Sequence, residues 1–553
     1  MKTLKYIKTF AAASLAVFGF VSCDDYLDKL PDDRAELDSD LKITQLLVSA
    51  YPTCNNILIS EMMSDNMDDN GRSYSSPVIC DDLYRMEDTS EEGNDTPYYI
   101  WNGYYESVAT VNEALQAVDN MGNPESLRGD VAEAKLIRAY SMFQLANTFC
   151  MAWDPSKADE YLGLPYPLVP EKDINTKYER GTLRQLYEAI NKDIEEALPY
   201  IAEASGEFKV PKYHFNTKAA YAFAARFNLY YMNYDKAIQY ANQVLGNDPT
   251  SVMRNFEPYR ELGYYDFANR WIRTDEDANI MLLASYSIAP RYLTGSVGRF
   301  AHNQTMASYE TFWVDMPWGS GSSNNTIIYA NKLYGSAQRV VHPTFDEQFE
   351  YTDKVAGIGY VHAVDPIFTG DMTIIERAEA YCLTGRLNEA CQDINTWITT
   401  HCKEVEGTQT RPVMTVASIT DYISGLDYAK REPDGFRDRS MRKHMHPQGF
   451  TIGEDGSDQE CMLQFILHMK RLETCFHGIR FMDLKRYGIE YTHPISGETN
   501  VVFIRGDYRG AVQIPNTVIA AGLEGNPRQN KDWVKMFIQQ TKPEYGEEVE
   551  EEE

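Results

Sequence analysis

Long apolar runs are scarce in this sequence. Only Phe10 to Val21 is apolar or small throughout, and a helix needs roughly 20 such residues to cross a bilayer core. No transmembrane helix is therefore expected. Positive charge is also in short supply, with 52 basic residues against 82 acidic ones and a net charge of −30. Such a surface repels phosphate backbones and disfavours nucleic acid as a partner. The nine cysteines contain no CxxC pair, so neither a zinc ribbon nor a thioredoxin-like site is indicated. HExxH, P-loop and GxSxG patterns are missing as well, and no enzyme class or cofactor is signalled.

What is there begins at the N-terminus. Lys2, Lys5 and Lys8 precede the apolar run, and Ser22, Cys23, Asp24 and Asp25 close it. A basic start, a short apolar middle and small residues at the end describe an export signal over residues 1–22. "FVSC" resembles the lipobox of bacterial lipoproteins, with Phe20 where leucine is usual. That resemblance implies cleavage before Cys23, acylation of its thiol, and a tether over residues 23–40. Each buried methylene of such a lipid contributes about 0.8 kcal/mol to membrane attachment. An unlipidated secreted protein is the alternative.

Helical periodicity dominates residues 41–250 and 371–545. "AAYAFAARFNLYYMNYDKAIQYANQVLGNDP" and "IIERAEAYCLTGRLNEACQDINTWI" have tetratricopeptide-like spacing. Ala225, Ala237, Ala241, Ala378 and Ala390 let paired helices approach, Gly385 frees a turn, and Pro249 is expected to end a helix. "TLRQLYEAINKDIEEALPYI" predicts a further helix capped by Thr182. Residues 251–370 read as an irregular insertion, with short strands at "NIMLLASYSI" and "TIIYANKLY". The acidic tail, 546–553, should stay solvated and disordered. The expected fold is mostly α, a helical-repeat scaffold carrying a loop-rich insertion with short strands.

A larger resemblance rests on several motifs in order. "RLETCFHGIRFMDLKRYG" supplies Glu473, Gly478, Arg480, Asp483, Leu484 and Arg486; "CDDYLDKLP", "WNGYYESVATVNEAL", "EAKLIRAYSMFQLANTF" and "QIPNTVIAAGLEGNPRQN" accompany it. Together they resemble the SusD-like (RagB/SusD) outer-membrane lipoproteins of Bacteroidetes; His477 departs from the glutamate usual in that family. The resemblance implies a surface-exposed, lipid-anchored protein that binds an extracellular nutrient, most often a glycan. It also implies a SusC-like TonB-dependent transporter as partner. A peptide-binding uptake protein and a surface glycoside hydrolase are the alternatives.

Candidate ligand residues fall in two regions. Asp68, Asn70, Arg72 and Tyr74 in "SDNMDDNGRSYSS" offer polar groups and a ring face, as a sugar requires. The same loop fails as an EF-hand, because Asn66 and Pro77 occupy its end positions, leaving only an irregular calcium site open. Trp313 and Trp318, in a stretch broken by Pro317 and followed by Gly, Ser and Asn, are expected to be partly exposed, with Tyr264, Tyr265 and Trp271 joining them. The Arg480, Asp483 and Arg486 spacing could form an anion clamp, but reads first as a structural ion network. His444 and His446 lack the supporting ligands of a metal site.

Overall fold

The computed structural model describes residues 37–546 apart from 172, 174, 175, 205–207, 322, 323, 405–410 and 434. Cys23, the tether as far as residue 36 and the acidic tail from residue 547 lie outside them. No helix among the described residues is long and apolar enough to cross a membrane.

The frame is a series of antiparallel helices. Pro97–Asn120 packs on Arg128–Phe149, which packs in turn on Leu183–Ala197. Thr217–Tyr230 pairs with Tyr234–Leu245, Gly370–Leu383 pairs with Leu387–His401, and Gly370–Leu383 also contacts Tyr234–Leu245. The alanines at the close approaches, Ala225, Ala241, Ala378 and Ala390, are at most 1% exposed. Gly385 has φ 75° between its two helices, while the first pair turns through Met232 at φ 65°. Thr182 caps its helix reciprocally: its hydroxyl accepts from the Gln185 amide, and Gln185 Oε1 accepts from the Thr182 amide.

Two local expectations are corrected. The helix before Pro249 already stops at Leu245, where Gly246 takes φ 62°, and Pro249 instead opens a 3₁₀ turn. "TIIYANKLY" is not a strand but a 3₁₀ turn, Ile328–Asn331, followed by the short strand Tyr334–Ser336. The other expected strand forms as Asn279–Ser285. It is the first of three antiparallel strands, with Ile358–Thr369 in the middle and Gln348–Asp353 at the edge. The buried end of the middle strand runs directly into the Gly370–Leu383 helix. At Gly370 a Cβ would lie 1.8 Å from the Val252 carbonyl oxygen, so only glycine fits that crossing.

The Asp458–Glu473 helix lies at the centre of the molecule, buried from Glu460 to its end, with Arg480–Arg486 close behind it. Its charges are paired in the interior. Lys470 Nζ donates to Glu379 at 3.0 Å and Asp483 at 2.9 Å. Arg486 Nη1 donates to the same two carboxylates at 3.0 and 3.1 Å. Arg480 and Arg471 both donate to Asp65. This is the structural network expected from the spacing; each buried charge has opposite partners, and removing one of them would leave uncompensated charge in the interior. The eight cysteines among the described residues are all buried and unpaired.

Candidate functional site

Asp65 ends the buried network and begins the early loop. From it the chain forms a two-residue strand, Asp68–Asp69, paired antiparallel with Phe300–Ala301. Each carboxylate along this stretch meets an arginine. Arg439 Nη2 donates to Asp68 at 2.9 Å, and Arg299 donates to both oxygens of Asp69 at 3.1 and 3.0 Å. Burial alone would raise the Asp69 pKa; the Arg299 hydrogen bonds, with the Ser496 and Gly71 amides, hold it below the usual value.

The predicted residues of this loop therefore divide. Asp68 is buried, with Arg439 on one oxygen and Asn303 on the other. Asn70 donates to the carbonyls of Gly298 and Gln338 and accepts from Asn303. Both hold the loop to the insertion, their side chains engaged by partners within the fold. Arg72 is exposed, braced by the carbonyls of Ser496 at 2.8 Å and Gly497 at 2.7 Å. Tyr74 is half-buried.

The aromatic residues divide in the same way. Trp318 is 1% exposed and packs against Trp397, Phe465 and His468 at ring-centroid distances of 5.7, 5.5 and 6.3 Å. Trp271 is 2% exposed, with the Arg254 guanidinium 3.7 Å above its ring. Neither offers a face to solvent. Trp318 thus fills space against the central helix and the Leu387–His401 helix, the reverse of the partly exposed position expected for it. Trp313 is half-buried, donating Nε1 to the Ala330 carbonyl at 3.3 Å. Tyr265 is 73% exposed and meets the half-buried Tyr264 edge-on at 5.2 Å.

The structure adds a pair that sequence reasoning missed. Tyr309 and Phe436 stack at 5.5 Å with 25° between their planes, both exposed. Arg439 connects them to the early loop, since its Nη1 donates to Glu310 at 3.2 Å while Nη2 holds Asp68. One sequence signal was available: Phe436 follows Gly435 inside a strongly charged stretch, where an apolar core residue would be out of place. A short hairpin, Tyr334–Ser336 with Arg339–Val341, joins the two ends of this face. The Gln338 carbonyl accepts from Asn70, and Tyr334 meets Tyr264 edge-on at 5.2 Å.

A separate cavity of about 660 Å³ lies between the Pro97–Asn120 helix, residues 165–171 and 176–179, and residues 518–523. Trp101 and Tyr105 line it together with Glu113, Glu171, Glu179 and Lys177. The segment above it is pinned where Tyr105 donates to the Pro165 carbonyl and Asn112 to that of Pro167, both at 2.9 Å. Among the described residues no group of three or more His, Cys, Asp or Glu side chains could hold a metal ion. His444 instead faces Asp455 at 3.1 Å and stacks on Tyr428.

Residues 25–229 match a SusD-like family described as starch-binding and associating with the outer membrane. No curated protein matches the sequence. Among solved structures, a SusD superfamily protein from Bacteroides vulgatus aligns with TM-score 0.58 at 18% identity, over 90% of this chain and 100% of that one. One from Bacteroides thetaiotaomicron aligns with TM-score 0.56 at 16% identity, over 88% and 98%. A SusD-like carbohydrate-binding protein from Bacteroides vulgatus aligns with TM-score 0.54 at 13% identity, over 87% and 95%. At these identities the likeness is one of fold.

Proposed function

We propose that this chain, SusD-like in its fold and in its N-terminal family match, binds an extracellular carbohydrate at the face built around the early loop and the insertion. The observation that carries the reading is the exposed Tyr309–Phe436 stack, held beside the early loop by Arg439. Sugar C–H faces pack on such rings, and neighbouring polar groups pair with the hydroxyls. Arg72, Tyr74, Tyr264, Tyr265 and Trp313 would extend the face. An open surface of this kind suits capture and release, because it leaves much of the ligand in solvent and holds it with modest affinity. The protein would act by binding and not by catalysis. Anchored by lipid at Cys23, it would pass its ligand to a SusC-like TonB-dependent transporter in the outer membrane.

Affinity electrophoresis against a panel of polysaccharides tests the binding face. Retardation by at least one polymer, reduced by Tyr309→Ala with Phe436→Ala, is the expected result; no retardation by any polymer refutes the reading. Incubation with the same polymers should release no new reducing ends. Acyl labelling lost in Cys23→Ser would support the anchor, and co-purification with a barrel protein from detergent extracts would support the partner.

A second reading, peptide uptake, draws on the 660 Å³ cavity, whose rim carries three glutamates against one lysine beside aromatic walls. Cationic side chains fit that chemistry. Pull-down of lysine- and arginine-rich peptides, abolished by Glu171→Gln with Glu179→Gln, would favour it.

A further inference from the structure

The arginines that frame the early loop are engaged. Arg72 ends on carbonyls, Arg299 on Asp69, Arg439 on Asp68 and Glu310, and Arg291 on Glu347 at 2.9 and 3.0 Å. Arg339 differs. It is half-buried on the short hairpin, its Nε is buried without a hydrogen-bond partner, and no ion pair among the described residues reaches it. Arg339 lies opposite Ser336, so strand alternation places it on the same side of the hairpin as Tyr334. Tyr334 abuts Tyr264, whose hydroxyl donates to Asp346 Oδ1 at 3.4 Å, and Tyr265 stands exposed beside it.

The nearby acids do not account for this cation. Glu347 is clamped by Arg291, and Asp346 has its pKa raised by burial with no offset from Arg339. Glu261 and Asp266 stand exposed near the tyrosines, without an ion pair among the described residues. A guanidinium held half out of water without a counter-charge is costly, and an incoming anion removes that cost. Its planar fork matches a carboxylate with two parallel hydrogen bonds. In a chain of net charge −30, an anionic ligand needs such a placed cation to be admitted.

We propose that Arg339 recognises the carboxylate of a uronic acid residue, with Asp346 accepting from ring hydroxyls and Tyr265 covering a C–H face of the same sugar. The ligand would then be an anionic glycan. This rests on the reading of the face as a carbohydrate site.

Calorimetric titration of the mature chain compares uronate-bearing polysaccharides (polygalacturonate, alginate, glucuronoxylan and hyaluronan) with neutral galactan, xylan and amylose. At least one uronate polymer should bind, and raising salt from 50 to 500 mM should weaken that binding alone. Arg339→Gln should lower the uronate affinity at least tenfold and change any neutral binding less than twofold, with an unaltered melting temperature. Arg339→Lys should retain part of the affinity, as a point charge without the fork. If only neutral polymers bind, or if Arg339→Gln leaves uronate affinity intact, the proposal falls while the carbohydrate reading stands. If no polymer of either kind binds, both fall.

Discussion

Arg480 donates through Nε and Nη2 to the two oxygens of Asp65, each at 2.8 Å, across 415 positions of sequence. The C-terminal motif thereby clamps the residue from which the early loop departs. Burial would raise the Asp65 pKa, but Arg471, Arg480 and Lys443 together drive it well below the ordinary carboxylate range. Removing Arg480 takes away the bidentate partner of Asp65, while removing Asp65 leaves the buried Arg480 guanidinium without its carboxylate. Arg480→Met should therefore destabilise the fold by roughly 3 kcal/mol, while Asp65→Leu combined with Arg480→Met should cost less than the sum of the single changes. Denaturant melts of all four proteins form the cycle, and additive losses would disprove the coupling.

Asp95 titrates in the opposite sense. Its carboxylate accepts from Ser287 Oγ and the Ile288 amide, both at 2.7 Å, yet burial pushes its pKa up to about 6. The folded protein thus holds this proton more tightly than the unfolded chain, whose aspartates titrate near 4. The associated stability is present at low pH and is lost as pH climbs from about 4 to about 6. Asparagine can accept from the Ile288 amide through its oxygen and donate its NH2 to a reoriented Ser287 hydroxyl, cannot ionise, and tolerates the φ of 64° found here. Asp95→Asn should match the parent near pH 4 and exceed it by roughly 1–3 kcal/mol at pH 7. Urea melts at the two pH values decide this.

Glu379 gives the reverse slope. Burial opposes its charge, but Lys470, Arg486 and the Tyr487 hydroxyl more than compensate and hold its pKa at about 2. A depressed carboxylate contributes stability above its unfolded pKa, near 4.3, and loses that contribution as pH falls towards 2. Glu379→Gln should lose roughly 3 kcal/mol at pH 7 and show a shallower decline between pH 4 and pH 2. A decline as steep as the parent's would show that other carboxylates govern acid unfolding.

The two kinds of aromatic residue should separate cleanly. Trp318→Ala removes a ring packed against Trp397 and Phe465 and should cost roughly 3–5 kcal/mol. Tyr265→Ala, at a position 73% exposed, should shift stability by no more than about 0.5 kcal/mol. The same change should weaken carbohydrate binding about fivefold, near 1 kcal/mol. Thermal melts read the first effect and polymer retardation the second.

These contrasts also show what the sequence made legible. The helix pairs were readable because Ala225, Ala241, Ala378 and Ala390 recur at the spacing that close helix contact demands. Thr182 was readable because capping is decided within four residues. The insertion was not, because burial there depends on distant partners. Trp318 sits among Gly, Pro and Ser and looks like a surface residue, yet Trp397 and Phe465, far along the chain, enclose it. Phe436, apolar in a charged stretch, hints at exposure in the sequence, but only the fold stacks it on Tyr309. Asp68 and Asn70 were read for their ligand chemistry, and their contacts with Arg439, Asn303 and two carbonyls come from residues too far along the chain for a local reading to foresee.

The eight buried thiols, Cys54 to Cys475, give the molecule an internal clock. Burial holds Cys80 at a pKa of about 12 and Cys150 at about 11, so in the closed protein the reactive thiolate is almost absent. A labelling reagent must wait for each region to open. Its rate at Cys54 beside the early helices, and at Cys391 or Cys475 beside the central one, then times local unfolding from one end of the scaffold to the other. Because no disulfide locks these regions together, each can keep its own time.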